Sequence, residues 1–416
     1  MKILWFSDIY RCTGFSRVSE EMIKYLVESC NCQVTVIGPK GTANPARGAL
    51  EIIDVGTPVG EYDFESYSEF YKSVFPTADL TEITKNYIQF QMIHFIKEQS
   101  PDFLIVLNSV DNAHDFISTF RNVCENAEYS IPKIIGFVTV DNKYDLRNLK
   151  RPWTLLNKFD SLITLTHEAK QVLKSLGVTI PIGITPHGVN PQNFKKLDKA
   201  ETRKKLFKEI TGKRLHDDDF IIFNGNRNVQ RKRLDITLKA FAKFQNNKQK
   251  CKLWIHSGDG YYNINKLCKK YKIKDKVIIT SSKGSMYDPK GLSQEKLNEM
   301  YNCMDIGINT SSGEGWGLVS FEMSLLGIPQ IVPDFLATGE IFKKDGFLVT
   351  VKEQSSGENI EGIVDVDSCV NQLEYLFNPD HVIDIQGKTK KMKEYTENLT
   401  WDHVTQQFYS LLLKSL

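Results

Sequence analysis

The segment Ile306-Gly-Ile-Asn-Thr-Ser-Ser-Gly313-Glu-Gly-Trp-Gly-Leu-Val-Ser-Phe-Glu322-Met-Ser-Leu-Leu-Gly327-Ile-Pro329 decides how this 416-residue chain is read. Its apolar start, Ile306 to Asn309, predicts a buried strand that empties into a glycine-bearing loop. The loop opens a short helix on which Leu318, Val319, Met323 and Leu326 recur at helical spacing. Gly327 ends that helix and Pro329 bars its continuation. Strand, glycine loop and helix N-terminus together form an anion site, because free backbone amides and the positive dipole end face one way. Glu314 falls in the loop. Glu322 falls about one turn into the helix, where side chains tilt back toward the N-terminus and can reach the same cleft. Two glutamates at this spacing are, taken alone, an ordinary solvated pair, and a glycine-rich loop is a weak signal. The combination suits a phosphate attached to a polyhydroxylated sugar, lying between two acceptor-only groups.

Working outward, the same alternation recurs on both sides. Toward the N-terminus, apolar runs at Lys2–Ser7, Gln33–Ile37, Phe103–Leu107, Lys133–Val140 and Ser161–Thr166 predict strands, with amphipathic helices between them. After the turn cluster Pro186–Pro191, the natural hinge, strands are expected at Phe220–Phe223, Lys252–His256, Val277–Thr280, Ile306–Asn309, Gln330–Val332 and Phe347–Val351, with helices such as Leu234–Phe244 and Gln294–Asn302. Short apolar strands alternating with helices mean α/β, with parallel sheets covered on both faces. Two successive doubly wound units follow, with ligands expected at the carboxyl ends of their strands and in the cleft between them. Residues 40–80, rich in turns and aromatics, read as an insertion. A basic stretch, Lys195 to Arg214, reads as a solvated linking helix because Leu197, Leu206 and Phe207 give it little apolar face. The terminal helix after Thr400, an N-cap, carries an apolar stripe of Val404, Phe408, Leu411 and Leu412 that needs a docking surface.

Composition excludes several classes. Charged residues make up 25% and hydrophobic residues 41%, an ordinary globular balance, and a net charge of +2 leaves no global footprint for nucleic acid. No apolar run approaches a membrane span, so at most peripheral membrane contact is expected. Met1 to Asp8 reads as a strand and not as a signal peptide. The eight cysteines are scattered without a CxxC pair, which fits free thiols in a reducing cytoplasm. Asp217–Asp219 and Asp365–Asp367 match a DxD pattern only superficially and read as solvated acidic turns, so no metal site is expected.

A second functional stretch follows strand Phe220–Phe223: Asn224-Gly-Asn-Arg227-Asn-Val-Gln-Arg231-Lys232-Arg233, then the helix from Leu234. Three cations at a helix N-terminus repel one another and oppose the dipole, which calls for a neutralising anion. The segment from Gly313 to Pro329 resembles the EX7E region of retaining glycosyltransferases of family 4, which have the two-domain GT-B fold. The basic stretch resembles that family's Arg and Lys, five residues apart, that hold the donor diphosphate. On this resemblance Arg227 and Lys232 carry over, and Arg231 and Arg233 do not. An arginine fork beside a lysine point charge suits two phosphates. Lys252–Gly260, Leu297–Asp305, Glu340, Gly346 and Trp401 also fit the family pattern, so the resemblance spans nearly the whole chain.

The resemblance implies two Rossmann-like domains: 1–190, completed by 400–416, on the acceptor side, and 191–399 holding the nucleotide-sugar. It implies sugar transfer from a UDP- or GDP-linked donor with retention of configuration, without metal and without a cofactor. The acceptor is an unidentified glycan, lipid or protein-glycan. Glu322 would bind the ribose and Glu314 the transferred sugar, with the amides of Gly315, Trp316, Gly317, Leu318 and Val319 beside sugar and phosphate. In the front-face mechanism proposed for the family, the leaving phosphate oxygen takes the acceptor proton. Catalysis is then mostly positioning and electrostatics, with Glu314, Arg227, Lys232 and Asp141 as the catalytic set. Gly14 would approach the phosphate, and Phe15, Asn108, Asp111 and Asp141 would face the acceptor. Ser282–Met286 would lie near the base. Two departures stand out. Many members have tandem glycines where this chain has Thr13-Gly14-Phe15, and many have a histidine where it has Val140-Asp141. A nucleotide-sugar epimerase and a non-catalytic sugar-nucleotide-binding protein are the alternatives. An unrelated dinucleotide enzyme is disfavoured because Lys2–Ser7 leads into no GxGxxG.

Overall fold

A computed structural model describes residues 1–7, 14–38, 52–54, 89, 92–93, 95–124, 130–211, 218–246, 248–280 and 292–415. Ser282–Met286 and most of 40–80 lie outside the described residues. In chain order the strands of the first half are β1 (Lys2–Phe6), β2 (Gln33–Gly38), β3 (Ile52–Asp54), β4 (Phe103–Ser109), β5 (Lys133–Thr139), β6 (Lys143–Tyr144), β7 (Ser161–Thr164) and β8 (Ile182–Ile184). The second half adds β9 (Phe220–Asn224), β10 (Cys251–His256), β11 (Val277–Thr280), β12 (Ile306–Ile308), β13 (Gln330–Pro333), β14 (Phe347–Val349), β15 (Val351–Ser356) and β16 (Asn359–Val364).

These form two parallel sheets, ordered β3-β2-β1-β4-β5-β7-β8 and β11-β10-β9-β12-β13-β14. Both follow from apolar runs covered on two faces: Phe103 to Leu107 are wholly buried at the centre of the first sheet, as are Ile221 and Ile222 in the second. The order reverses beside β1 in one sheet and beside β9 in the other. Both carboxyl ends therefore open at a switch point, where ligand clefts form in such sheets.

The terminal helix Trp401–Ser415 returns to the first sheet. Thr400 Oγ1 accepts from the His403 amide at 3.2 Å. The buried stripe of Val404, Phe408 and Leu412 docks so that the Phe408 ring lies 5.9 Å from Trp5 and 5.2 Å from Phe137. The entry to that helix packs on the turn Pro186–Pro191, where the Val189 amide donates to Leu399 O at 2.9 Å. A β-carbon on Gly188 would lie 2.6 Å from the Trp401 nitrogen, so only glycine admits this approach.

Two expectations change. The run expected as one strand, Phe347–Val351, is cut at Thr350. β14 stays in the parallel sheet, while β15 pairs antiparallel with β16 in a separate three-stranded sheet ordered β15-β16-β6. The cause is composition: Lys352 to Ser356 are polar and exposed and have no place in a covered sheet. Among its described residues the basic stretch is helical from Lys199 to Thr211, and it does more than link. Its Arg203 is buried, donating to Cys303 O and Asp219 O at 2.9 Å and pairing with Asp305 at 2.7 Å.

Candidate active site

The loop after β12 is buried throughout, from Asn309 to Trp316, and Gly317 opens the helix Leu318–Leu325 in the left-handed region at φ 91°. That helix ends in a Schellman arrangement. The Gly327 amide donates to Ser324 O at 2.9 Å and the Ile328 amide to Met323 O at 3.2 Å, with Gly327 at φ 71°. Both ends thus depend on the glycines that mark them in the sequence.

Glu314 is 4% exposed, and four side chains converge on it. Asn309 Nδ2 donates to its Oε1 at 3.0 Å, Ser311 Oγ donates to the same atom at 2.9 Å, and Lys232 Nζ forms a short ion pair there. Arg231 reaches its Oε2 at 3.2 Å. Burial alone would raise the Glu314 pKa, but the Lys232 and Arg231 charges outweigh it and hold the carboxyl well below its usual range. Burial pushes the Lys232 ammonium down to about 8 against the opposing pull of Glu314.

Arg231 also donates to Gly313 O at 2.8 Å and pairs with Asp141 at 3.1 Å. Asp141 follows β5 of the first sheet, so one guanidinium joins the two halves. Burial disfavours its charge, but Asp141 and Glu314 together raise its pKa. The backbones meet there too: a β-carbon on Gly313 would fall 1.8 Å from Asp141 O, and one on Gly315 2.8 Å from Thr139 Cβ. These two glycines are needed for close approach between halves.

Glu322 is 2% exposed and has a different environment. Arg17, on the helix Gly14–Glu28 of the first half, donates to its Oε1 in a short ion pair. Tyr301 OH donates to its Oε2 at 3.0 Å. Burial works against the Arg17 charge, but Glu322 raises its pKa above the ordinary value. Gly14 begins that same helix, and a β-carbon on it would sit 3.5 Å from Leu318 Cδ1, so Gly14 faces the N-terminus of the Glu322 helix. Trp316 is buried against His187 and Phe321, with ring centroids 5.8 and 5.1 Å away.

The structure therefore brings Glu314, Lys232 and Asp141 together and sets Gly14 against Leu318. Leu318 and Val319 are half-buried at the helix start, and Phe15 is half-buried one residue after Gly14. Arg227 is exposed and makes no side-chain hydrogen bond or ion pair with another described residue, so its link to Lys232 is not made by protein contacts. Asn108 bonds locally, accepting from the Ser109 amide and from Asn112 Nδ2 at 2.9 Å. Asp111 pairs with Arg151 and accepts from Tyr144 OH at 3.4 Å. The acidic runs are otherwise engaged. Asp218 pairs with Lys250, Asp365 is not a connector residue but the N-cap of the helix Val366–Phe377, and Asp367 pairs with Lys243 at 2.6 Å. Asp217 lies outside the described residues.

Arg231 was set aside in the sequence and is central here. The basic cluster does need anions, but carboxylates of the chain meet it: Glu314 and Asp141 for Arg231, Glu314 for Lys232, and Asp235 for Arg233 at 2.9 Å. Arg17 is not among the residues the motifs single out. Its signal was a cation in the first turn of a helix, where the dipole disfavours it, the same kind of signal that marked the cluster at 231–233.

With this geometry in place, the comparisons are informative. Residues 207–367 match the family model for glycosyl transferases group 1. The curated proteins contain no match. Among solved structures, the chain is similar along 100% of its length, and 98% of theirs, to a sucrose-phosphate synthase from Thermosynechococcus elongatus and a glycosyltransferase from Rickettsia africae. Each is 14% identical with a TM-score of 0.71. A trehalose-6-phosphate protein from E. coli bound with UDP-2-fluoro glucose is 11% identical, with a TM-score of 0.68 and 99% of both chains covered. The fold is GT-B, and the class that fold and matched segment support is a glycosyltransferase. Among the described residues no helix is long and apolar enough to cross a membrane.

Proposed function

We propose that this chain transfers a sugar from a UDP- or GDP-linked donor to an acceptor hydroxyl, with retention of configuration and without a metal ion. The supporting observation is the loop from Glu314 to Val319. Two buried carboxylates flank a helix N-terminus whose first turn faces Gly14 of the other half. In this reading the free amides at that terminus and the Lys232 ammonium take the diphosphate, as anion sites at helix ends do. Arg227, an exposed cation, supplies the bidentate fork. Glu314 holds hydroxyls of the transferred sugar, and Glu322 takes the ribose by exchanging its Arg17 or Tyr301 contact. Asp141, joined to Glu314 through Arg231, faces the acceptor. Residues 1–190 with 400–416 form the acceptor-side domain and 191–399 the donor domain, with the whole in the cytoplasm.

Charge stabilisation of a departing diphosphate then comes from Lys232, Arg227 and the helix dipole, and the rest of the acceleration from positioning. The test is a thermal-shift panel of UDP, GDP, ADP and CDP, followed by incubation with the matching nucleotide-sugars in excess EDTA. A ligand at about 100 times its Kd stabilises by roughly 2.7 kcal/mol. The expected result is a shift with UDP or GDP and release of free nucleoside diphosphate that survives EDTA. An isomerised donor would instead identify an epimerase, and a shift without turnover a binding protein. Loss of activity restored by Mn²⁺ would overturn metal independence.

A further inference from the structure

β15 and β16 leave the donor sheet and run past it as a hairpin whose strand residues 352–356 are exposed. At its tip Gly357 takes φ 67°, and a β-carbon added there would meet nothing. At its far end the hairpin grips the first half of the chain through strand pairing and hydrogen bonds at its turn. Asn359 and Ile360 pair with Tyr144 and Lys143 of β6. The Asp145 amide donates to Glu358 O at 2.9 Å, the Lys150 amide to Glu358 Oε2 at 2.9 Å, and Asn148 Nδ2 to Gly357 O at 3.1 Å. At its near end the Gly362 amide donates to Ser312 O at 2.8 Å, two residues before Glu314. A β-carbon on Gly362 would lie 2.6 Å from the Phe335 ring, which seats that end firmly on the donor half.

We propose that the β15–β16 hairpin is a positioning element for sugar transfer, fixing the spacing between the Glu314 loop and the segment Asp141–Arg151. The inference rests on the reading given above, in which Glu314 faces the donor and Asp141 the acceptor. The contacts that set the spacing are backbone pairs, and their register cannot slip by one residue without turning every side chain to the opposite face. The ion pairs beside them add little: Lys143 with Glu353 is exposed, and Arg151 stands 3.8 Å from Glu358. Spacing matters because transfer requires the reacting atoms within about 3–3.5 Å, and a displacement of about 1 Å costs about a hundredfold in rate.

The test uses the full chain in two variants. In one, residues 354–361 are replaced by an Asn-Gly turn between Glu353 and Gly362, which face each other in the native register, so Gly362 keeps its bond to Ser312. The milder variant, Glu358→Ala, keeps the backbone and removes the carboxylate contacts to the Lys150 amide and to Arg151, the latter at 3.8 Å. Hydrogen exchange should speed up at least tenfold in both 139–151 and 311–317 for the shortened hairpin, with β4 and β9 unchanged. Glu358→Ala should do the same about threefold. With the donor identified by the nucleotide panel, kcat should fall at least tenfold in the shortened variant while the Kd for UDP or GDP stays within twofold. Unchanged exchange in 311–317, or unchanged kcat in both variants, overturns the proposal. Faster exchange throughout the donor sheet together with lost nucleotide affinity also overturns it, since the hairpin would then only stabilise that half. If the wild type transfers no sugar, the functional reading fails, and the exchange result still decides the coupling.

Discussion

Glu314 and Glu322 lie on one loop and helix, eight positions apart, and are equally buried, yet they are held in opposite ways. Glu314 is gripped by its own half, through Lys232, Asn309 and Ser311, and is tied onward to Asp141 only through Arg231. Glu322 has Tyr301 from its own half, but its counter-charge, Arg17, comes from across the cleft. Separating the halves would leave Glu314 paired and strip Glu322 of its cation. The carboxylate assigned to the transferred sugar is therefore preorganised within the donor half, and the one assigned to the ribose depends on how the halves meet.

The largest expected effect on stability comes from Glu314→Gln. It removes the countercharge of buried Lys232 and half-buried Arg231, and breaking a buried pair costs about 3–5 kcal/mol, readable by urea unfolding. A loss below about 1 kcal/mol would mean that Asp141 alone compensates Arg231. The same variant tests the acid limb. Folding depresses the Glu314 pKa from its ordinary 4.5, so its stabilisation is present above that value and fades as pH falls through the lower folded one. Wild type should lose stability below about pH 4.5 more steeply than Glu314→Gln, and parallel curves would contradict the assignment.

Glu322→Gln comes next, at about 1.5–3 kcal/mol, the value of a hydrogen bond to a charged group. Arg17 is 27% exposed, so water can take up some of its charge. Only this variant should widen the molecule in solution scattering; expansion in Glu314→Gln as well would erase the contrast between the two sites. A double-mutant cycle with Arg231→Lys and Asp141→Asn measures the strap between halves, with an expected coupling of about 1 kcal/mol. Coupling near zero would leave the halves joined by their other contacts, among them Arg17–Glu322, the hairpin and the terminal helix.

Arg227→Ala should change stability least, within about 0.5 kcal/mol, because the side chain is exposed. It should nevertheless weaken UDP or GDP binding by about 1.5–3 kcal/mol if it holds phosphate. Wild-type nucleotide affinity should also fall as pH rises past about 8, where Lys232 loses its proton, and a flat calorimetric profile would place the diphosphate elsewhere.

Elements written in local pattern were legible. The strand Val277–Thr280 and the helices Leu234–Phe244 and Gln294–Asn302 have the bounds that apolar spacing predicts. The hairpin β15–β16 was not. Its strands carry almost no apolar alternation, and their partner at Lys143–Tyr144 lies more than two hundred residues away in sequence. The sequence favours Arg227 over Arg231, and the ion pairs of Arg231 were hidden from it for a related reason. Which of two nearby cations is buried depends on where Asp141 comes to lie, and that is set by how one sheet meets the other.

The sequence by itself determined two α/β units, the glycine-bounded loop and helix at 313–327, and the residue types able to hold a nucleotide-sugar. Burial periodicity and backbone preferences act over a few residues and leave their mark in order along the chain. Only the tertiary structure decided that Glu314 pairs with Lys232 and Arg231, that Arg17 crosses to Glu322, and that a polar hairpin ties Ser312 to Lys143–Lys150. Charges have no periodicity, and a carboxylate accepts any donor brought within reach. Its partner is chosen by the packing of distant segments, which the linear sequence does not spell out.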